Sequence, residues 1–274
     1  MTATITKPSA SERTITIPAV PATTTTVFGL PVDPTNPLSA GLVSLLALSE
    51  GAGSEFLDSV TGQLYNAVAL PKTPPGSTAP SWFIPPVTSD YRWPNSPCIS
   101  NMGGKALSIQ GGPASANFIP ANTTGYSYAV LLQPLDTTTF GRTMDCLGRG
   151  VLNIYTNVAD KQGQGAFSTS WRNAHDAAIN PYVPFVVGKW YMVCCTVQQG
   201  LGCMYVNGQL AASDKTVSIA NCVSNQSGQL VYNATGDGSQ MPNANFSSFY
   251  CWNNRVLTAA EAATLYASPW QIIG

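Results

Sequence analysis

The acidic residues are the first candidates for chemistry, because two carboxylates at a fixed separation can cleave a glycosidic bond. The chain contains 13 Asp and Glu residues in total. No segment predicted to be a strand carries two of them at alternate positions, where both would face one cleft. Glu50 and Glu55 flank a glycine turn, and Glu261 belongs to the start of a helix. We therefore expect a protein that is not an enzyme.

The only histidine, His175, precedes Asp176, and such a pair could serve as the base of a catalytic triad. No serine or cysteine lies in a recognisable nucleophile motif, so the pair does not predict a triad. The other charges of this region are interpreted as solvated loop side chains: Asp136, Arg142, Asp145, Arg149, Asp160, Lys161 and Arg172.

The seven cysteines raise the question of a metal site or of disulfide bonds. Their spacing lacks the paired C-x-x-C pattern of zinc sites. A disulfide between Cys195 and Cys203 is one alternative, because these residues face each other in the hairpin proposed below. Free cysteines buried as small apolar side chains are the favoured interpretation. We expect neither a metal nor another cofactor.

A proline-rich loop, residues 71–97, carries aromatic side chains that could bind a ligand directly. Long loops are unusual inside compact domains and are often functional. Trp82, Tyr91 and Trp93 are candidates for stacking on sugar rings. The same rings could instead pin the loop to the domain or to a partner, which is the favoured alternative because the neighbouring prolines also need apolar contacts.

Residues 188–210 show most plainly which elements would position these side chains. Two runs rich in aromatic and β-branched residues, with a glycine-containing break at 198–202 and Asn207-Gly208 at the end, predict an antiparallel hairpin and a further turn. With the loop centred near residue 199, one face holds Trp190, Met192, Cys194, Met204 and Val206, and the other holds Tyr191, Val193, Cys195, Cys203 and Tyr205. Both faces are apolar, so each should be covered. Tyr191, Val193 and Tyr205 are candidate contacts with a partner.

Residues 1–37 are rich in threonine and proline and differ from the rest of the chain. The prolines exclude a helix and interrupt any central strand, so the segment is predicted to be an extended arm. Alone, it has too little apolar surface to offset its ordering entropy. Its apolar residues could dock on a neighbouring subunit or pack along the chain's own domain. The candidate assembly contacts in the arm are Ile15, Ile17, Val27 and Phe28.

The remaining elements are short strands and one helix. Thr258 and Glu261 form a capping-box pattern that predicts a helix from Ala259 to about Ala267, followed by Pro269. Further strands are predicted at 106–109, 126–132, 151–155, 167–173, 230–232 and 246–252.

The composition excludes several classes of partner. Charged residues are only 9% of the chain, and the net charge of −1 gives no electrostatic reason to bind nucleic acid. No apolar run approaches the ~20 residues of a transmembrane helix, and no apolar core follows the first lysine as it would in a signal peptide. We expect neither nucleic acid nor membrane as a partner.

Three motifs in order resemble laminin-G-like domains of the concanavalin A-like lectin and glucanase superfamily. They are GLVSLLALSEGAG with LDSVTG after it, the pair GKWY and MYVNGQ, and FYCWNNRVLTAAE. The resemblance implies an all-β fold, an antiparallel β-sandwich of the jelly-roll type over residues 38–274, with the N-terminal arm and one short C-terminal helix. Members of this family often bind calcium and sugars, but no calcium-ligand motif can be matched here.

Two functions fit these features. The favoured one is a structural protein of a virus particle, most simply a bacteriophage capsid decoration protein, because the segment LTAAEAATLYASPWQ resembles the ends of laminin-G-like proteins in phage genomes. Its expected partners are the major capsid protein or copies of itself, as a homo-oligomer on the virion surface. The alternative is a carbohydrate-binding module, such as a tail-fibre domain that recognises surface glycans.

Overall fold

The computed structural model of the 274-residue chain describes residues 3–6, 14–17, 31–48, 50–53, 55–68, 81–86, 90–91, 97–101, 108–110, 123–137, 141–146, 149–155, 165–169, 183–217, 219, 229–230 and 243–273. Within these ranges most elements are strands, as predicted. No helix there is long and apolar enough to cross a membrane.

Eighteen described strands follow one another along the chain. They are β1 (Ala3–Thr6), β2 (Thr14–Ile17), β3 (Leu42–Leu46), β4 (Glu55–Leu57), β5 (Leu64–Val68), β6 (Ser81–Phe83), β7 (Cys98–Asn101), β8 (Ser108–Gln110), β9 (Gly125–Pro134), β10 (Gly141–Cys146), β11 (Arg149–Tyr155), β12 (Ala166–Ser168), β13 (Val183–Pro184), β14 (Tyr191–Gln198), β15 (Leu201–Val206), β16 (Gln209–Asp214), β17 (Gln229–Leu230) and β18 (Ala244–Asn253). The helix α1 spans Ala259–Ala267, and short 3₁₀ turns lie at Pro37–Ser39 and Pro269–Ile272.

Two antiparallel sheets of eight strands each form a β-sandwich, which confirms the predicted all-β fold. The first sheet has the order β13-β12-β11-β10-β17-β8-β5-β4. The second has the order β16-β15-β14-β9-β18-β7-β6, with β3 also paired to β18. Strands β1 and β2 form a separate two-stranded sheet. The proline-rich loop is not a plain loop, since β6 lies within it.

The predicted hairpin is β14–β15, but its register differs by one residue from the prediction. Cys195 pairs with Met204, and Gln198 pairs with Leu201 around a tight turn at Gly200, whose φ is +79°. The expected pairing of Cys195 with Cys203 is therefore wrong, and the two side chains lie on opposite faces of the sheet.

Buried side chains fill the space between the two sheets. Tyr126, Tyr128, Val130 and Leu132 alternate along β9 on this inner side. They pack in one cluster with residues of β14 and β18 and with Phe167 of the first sheet. This cluster is the inner core.

A second apolar cluster covers the opposite side of the second sheet. Leu257, Ala262 and Leu265, before and within α1, are buried against strand residues that include Trp252. The helix begins where predicted, because Thr258 and Glu261 form a complete capping box. The expectation that both faces of the hairpin are covered is thus correct, and the chain's own closing segment covers the outer one.

The start of the domain is fastened to its end. Arg255 donates from Nη1 to the carbonyl oxygens of Pro37 and Ala40, each at 2.6 Å, and from Nη2 to Glu261 at 2.5 Å. Val32 forms a β-bridge with Ile273. Residues from about 32 onward therefore pack with the sandwich. The sequence placed the start of the domain at residue 38, and the structure places it earlier.

Candidate functional site

The carboxylates near the first strands are structural. Asp58 is fully buried and accepts hydrogen bonds from Ser44 Oγ at 2.6 Å and from the Val60 amide at 2.8 Å. It therefore holds β3 to the turn after β4. Within the described ranges, no group of three or more His, Cys, Asp or Glu residues could hold a metal ion. The pair His175–Asp176 lies outside the described residues.

Glu50 has a carboxyl group whose two oxygens differ in their surroundings. Its Oε1 accepts a hydrogen bond from the Leu57 amide at 2.9 Å, while the buried Oε2 has no hydrogen-bond partner. Burial raises the pKa of Glu50 above its ordinary value, and the Leu57 hydrogen bond opposes this only in part. Because Oε2 is shielded from solvent, it is not accessible to a substrate.

Two of the three candidate sugar-stacking residues pin the proline-rich loop instead. Tyr91 is buried, packs at a tilt against Trp190 with ring centroids 4.6 Å apart, and shares a hydrogen bond of 2.7 Å with Ser247. Its proposed role in stacking on a sugar is therefore wrong. Trp82 is half-buried, and its Nε1 donates to the Gly53 carbonyl at 2.8 Å. Trp93 lies outside the described residues.

The candidate contacts on the hairpin belong to the chain's own cores. Val193 is buried in the inner core, and Tyr205 is 6% exposed in the outer cluster. Neither offers a free surface to a partner, so the interpretation of these two as assembly contacts is wrong. Tyr191 is half-buried, and its hydroxyl accepts a hydrogen bond from the Val186 amide at 2.9 Å.

Five cysteines in the described part of the chain are buried and form no disulfide bond, as favoured from the sequence. They are Cys98, Cys194, Cys195, Cys203 and Cys251. Burial raises the pKa of Cys98 and of Cys195 to about 12 in each case, so these thiols stay protonated and unreactive at neutral pH.

The arm contains a hairpin that the sequence did not predict. Ile15 and Ile17 lie in β2, which pairs with β1 in the register Ile15 to Ile5 and Ile17 to Ala3. Val27 and Phe28 fall outside the described residues. The roles of all four residues as assembly contacts remain predictions.

The sequence reasoning missed strand β16 entirely. This strand follows the Asn207-Gly208 turn and ends the order of the second sheet. Leu210 within it is 57% exposed. The Asn207-Gly208 pair was the available signal, because a turn in which both central residues have positive φ normally joins two strands.

The comparisons with known proteins agree with the sandwich. A laminin-G-type family model, described as "Concanavalin A-like lectin/glucanases superfamily", matches residues 110–263, more than half of the chain. No curated protein matches the chain.

Several solved structures share the fold at low identity. A sialidase from Trypanosoma rangeli, solved with a difluoro-KDN ligand, is 20% identical with a TM-score of 0.52, over 89% of this chain and 37% of the sialidase. Domain 4 of the arabinanase AbnA from Geobacillus stearothermophilus, solved with arabinotriose, is 11% identical with a TM-score of 0.54, over 82% of this chain and 98% of that domain. The chain thus spans little more than a third of the sialidase, and these likenesses show the fold alone.

Proposed function

Since the chain belongs to the laminin-G-like part of the concanavalin A-like lectin/glucanase superfamily, we propose that it is a non-enzymatic structural protein of a virus particle, with the sandwich as a rigid body and the N-terminal arm as its docking element. The fold alone does not select this role, because it serves many functions. The expected setting is a bacteriophage capsid surface, with the major capsid protein or further copies of this chain as partners.

The observation that carries the proposal is the separate sheet formed by β1 and β2. A two-stranded hairpin is marginally stable by itself in water, so it gains stability when its free edges or its side chains meet another surface. The sandwich, by contrast, already covers both faces of its second sheet. The sequence suggested both the arm and the sheet faces as docking surfaces. Of the two, the arm is therefore better suited to docking.

The test is sedimentation velocity on the full chain and on a chain lacking residues 1–30. The deletion stops at residue 30 because Val32 and Asp33 bond to Ile273 and Ile272 of the domain's end. We expect a defined oligomer for the full chain and a folded monomer for the truncated one. Equal sedimentation of the two proteins would contradict an arm that docks on other copies.

A second candidate function is carbohydrate binding. It is favoured by the likeness to AbnA domain 4, nearly all of which is covered and whose structure holds arabinotriose. Trp82 is the one described candidate whose ring remains partly exposed. A glycan array that includes arabinotriose should then show binding by wild type and loss of binding in Trp82→Ala, with Trp82→Phe as the control that keeps a ring. No binding by wild type would reject this alternative.

A further inference from the structure

Besides β3, whose outer edge is bonded by Asp58 and Ser59, the two sheets have four ends, which differ in how open they are to another strand. In the first sheet, β13 has only two residues and includes Pro184, and β4 has three, of which Leu57 donates its amide to Glu50. In the second sheet, β6 has three residues and is followed by Pro85 and Pro86. Short strands and prolines protect edges against additional pairing. These three ends are therefore poor acceptors for a strand.

Strand β16, at the fourth end, is neither short nor interrupted by proline, and its one irregularity is the β-bulge described below. It has six residues, contains no proline or lysine, and pairs with β15 along one edge only, among the strands that the structure describes. Its middle residues are exposed, including Leu210 and Ala211. A terminal strand leaves a row of amide and carbonyl groups facing outward, which is a template for pairing with another chain.

The register of β16 also identifies one residue that has no pairing partner in β15. Met204 pairs with Ala212 and Tyr205 pairs with Leu210, so Ala211 is the extra residue of a β-bulge. The extra residue of a bulge is left out of the ladder. Ala211 is thus a position where the free edge can be altered with little cost to the β15–β16 pair.

The N-terminal hairpin has the matching properties. Its strands read ATIT and TITI, which are rich in β-forming residues, and each is paired along one edge only within the described sheet. Residues 18–30 separate β2 from the start of the sandwich, and a chain of this length reaches up to about 45 Å. This reach is long enough to place the hairpin on a neighbouring molecule.

We propose that the β16 edge of one copy receives the N-terminal hairpin of a second copy by strand addition, so that the second sheet continues across two molecules. The occupant is a second copy because, among the strands that the structure describes, the hairpin forms its own sheet and β16 is terminal. The inference rests on the proposed role of the arm and adds the surface on which the arm docks.

Disulfide trapping tests the contact directly in the full-length protein. Ile15→Cys in one sample and Ala211→Cys in another are mixed and oxidised, and the expected product is a covalent dimer that forms only in the mixture. The matched control replaces Ala211→Cys with Leu64→Cys, because Leu64 is also well exposed, at 46%, but lies inside the order of the first sheet. A dimer of equal yield with both partners would overturn the proposal.

Self-association of edge variants separates this inference from the proposed function. Proline is tolerated on edge strands and at bulges, so Ala211→Pro should remain folded by circular dichroism while it weakens self-association at least about tenfold. Leu210→Lys should act in the same direction, and Leu64→Lys should have no effect. If deletion of residues 1–30 gives monomers while both edge variants associate like wild type, the β16 contact is wrong and the docking arm stands. If the deletion of residues 1–30 also leaves self-association unchanged, both the β16 contact and the docking role of the arm are wrong.

Discussion

Strand β18 of the sandwich and strand β2 of the arm are both rich in β-forming residues, yet they differ in how they are paired. β18 pairs along its whole length with β9 on one edge and with β3 and β7 on the other, and its side chains are buried on both faces. β2 has four residues and, within the described part of the chain, pairs along one edge only, with β1. The same strand chemistry therefore stabilises the fold in one region, while in the other one edge of β2 has no partner among the described strands.

From this difference in pairing we expect the sandwich to supply the stability of the molecule and the arm to supply the proposed contacts between molecules. The free energy of folding should come from the sandwich, where apolar area is removed from water. The arm should contribute to contacts between molecules and little to the stability of one molecule. The four predictions below test this division, beginning with the largest expected effect.

Trp252→Ala should be the most damaging substitution. Trp252 is fully buried, stacks on Tyr250 at 5.8 Å, and donates from Nε1 to the Leu38 carbonyl at 2.6 Å. Its removal leaves a cavity and an unpaired carbonyl group, and we expect a loss of about 3–5 kcal/mol in the free energy of unfolding. Urea denaturation of the variant and of wild type measures this loss. A loss below about 1 kcal/mol would mean that the outer cluster contributes little to stability.

Arg255→Ala should have an intermediate effect. The substitution removes hydrogen bonds to Pro37, Ala40 and Glu261, which together fasten the domain's start to α1. We expect a loss of about 1–3 kcal/mol in the free energy of unfolding. Arg255→Lys is the matched control: it keeps the charge but lacks the planar fork, so it should recover only part of the loss. An unchanged free energy of unfolding in Arg255→Ala would show that these hydrogen bonds are dispensable.

Glu50→Gln should change how stability depends on pH. Because the pKa of Glu50 is raised in the folded state, the folded protein binds a proton that the unfolded chain releases near the ordinary value of 4.5. The contribution of Glu50 to the free energy of unfolding of wild type therefore falls as pH rises above 4.5 and levels off above the folded-state pKa. When the free energy of unfolding of wild type is subtracted from that of the variant, the contributions of the other titrating groups cancel.

At pH values above that range, Glu50→Gln should be the more stable protein, by on the order of 1 kcal/mol, because it removes a buried charge. Urea denaturation of both proteins across this range provides the measurement. A difference that is the same at all pH values would show that the pKa of Glu50 is equal in the folded and unfolded states, which would contradict the raised pKa.

Deletion of residues 1–30 should have the smallest effect on one molecule. We expect the free energy of unfolding to stay within about 0.5 kcal/mol of wild type, since surface changes away from the core are usually in this range. The measurement must be made at a concentration where the full chain is monomeric, because association itself adds stability. A larger loss there would indicate that the arm packs on its own domain.

Local signals in the sequence predicted several elements correctly. The helix α1 begins at Ala259 because Thr258 and Glu261 satisfy each other's backbone amides, a pattern that needs no distant contact. The β14–β15 hairpin was predicted from its aromatic and β-branched runs. Its register was not, because both faces are apolar, and a shift by one residue does not conflict with the pattern.

The outcome for the candidate residues depended on contacts distant in the sequence. Tyr91 has the same chemistry as a sugar-stacking residue, but its hydroxyl meets Ser247 and its ring meets Trp190, each far along the chain. Val193 and Tyr205 were expected to meet a partner, and instead α1 and the first sheet help to enclose the cores to which they belong.

By itself the sequence determined the fold class, the closing helix and the distinct composition of the arm, since these follow from residue type and short spacings. Only the tertiary structure decided which strands lie at the ends of the sheets. The order of strands is set by pairings between distant segments, such as β18 with β3 and β9. For the same reason the open edge of β16 became visible only when the order of its sheet was known.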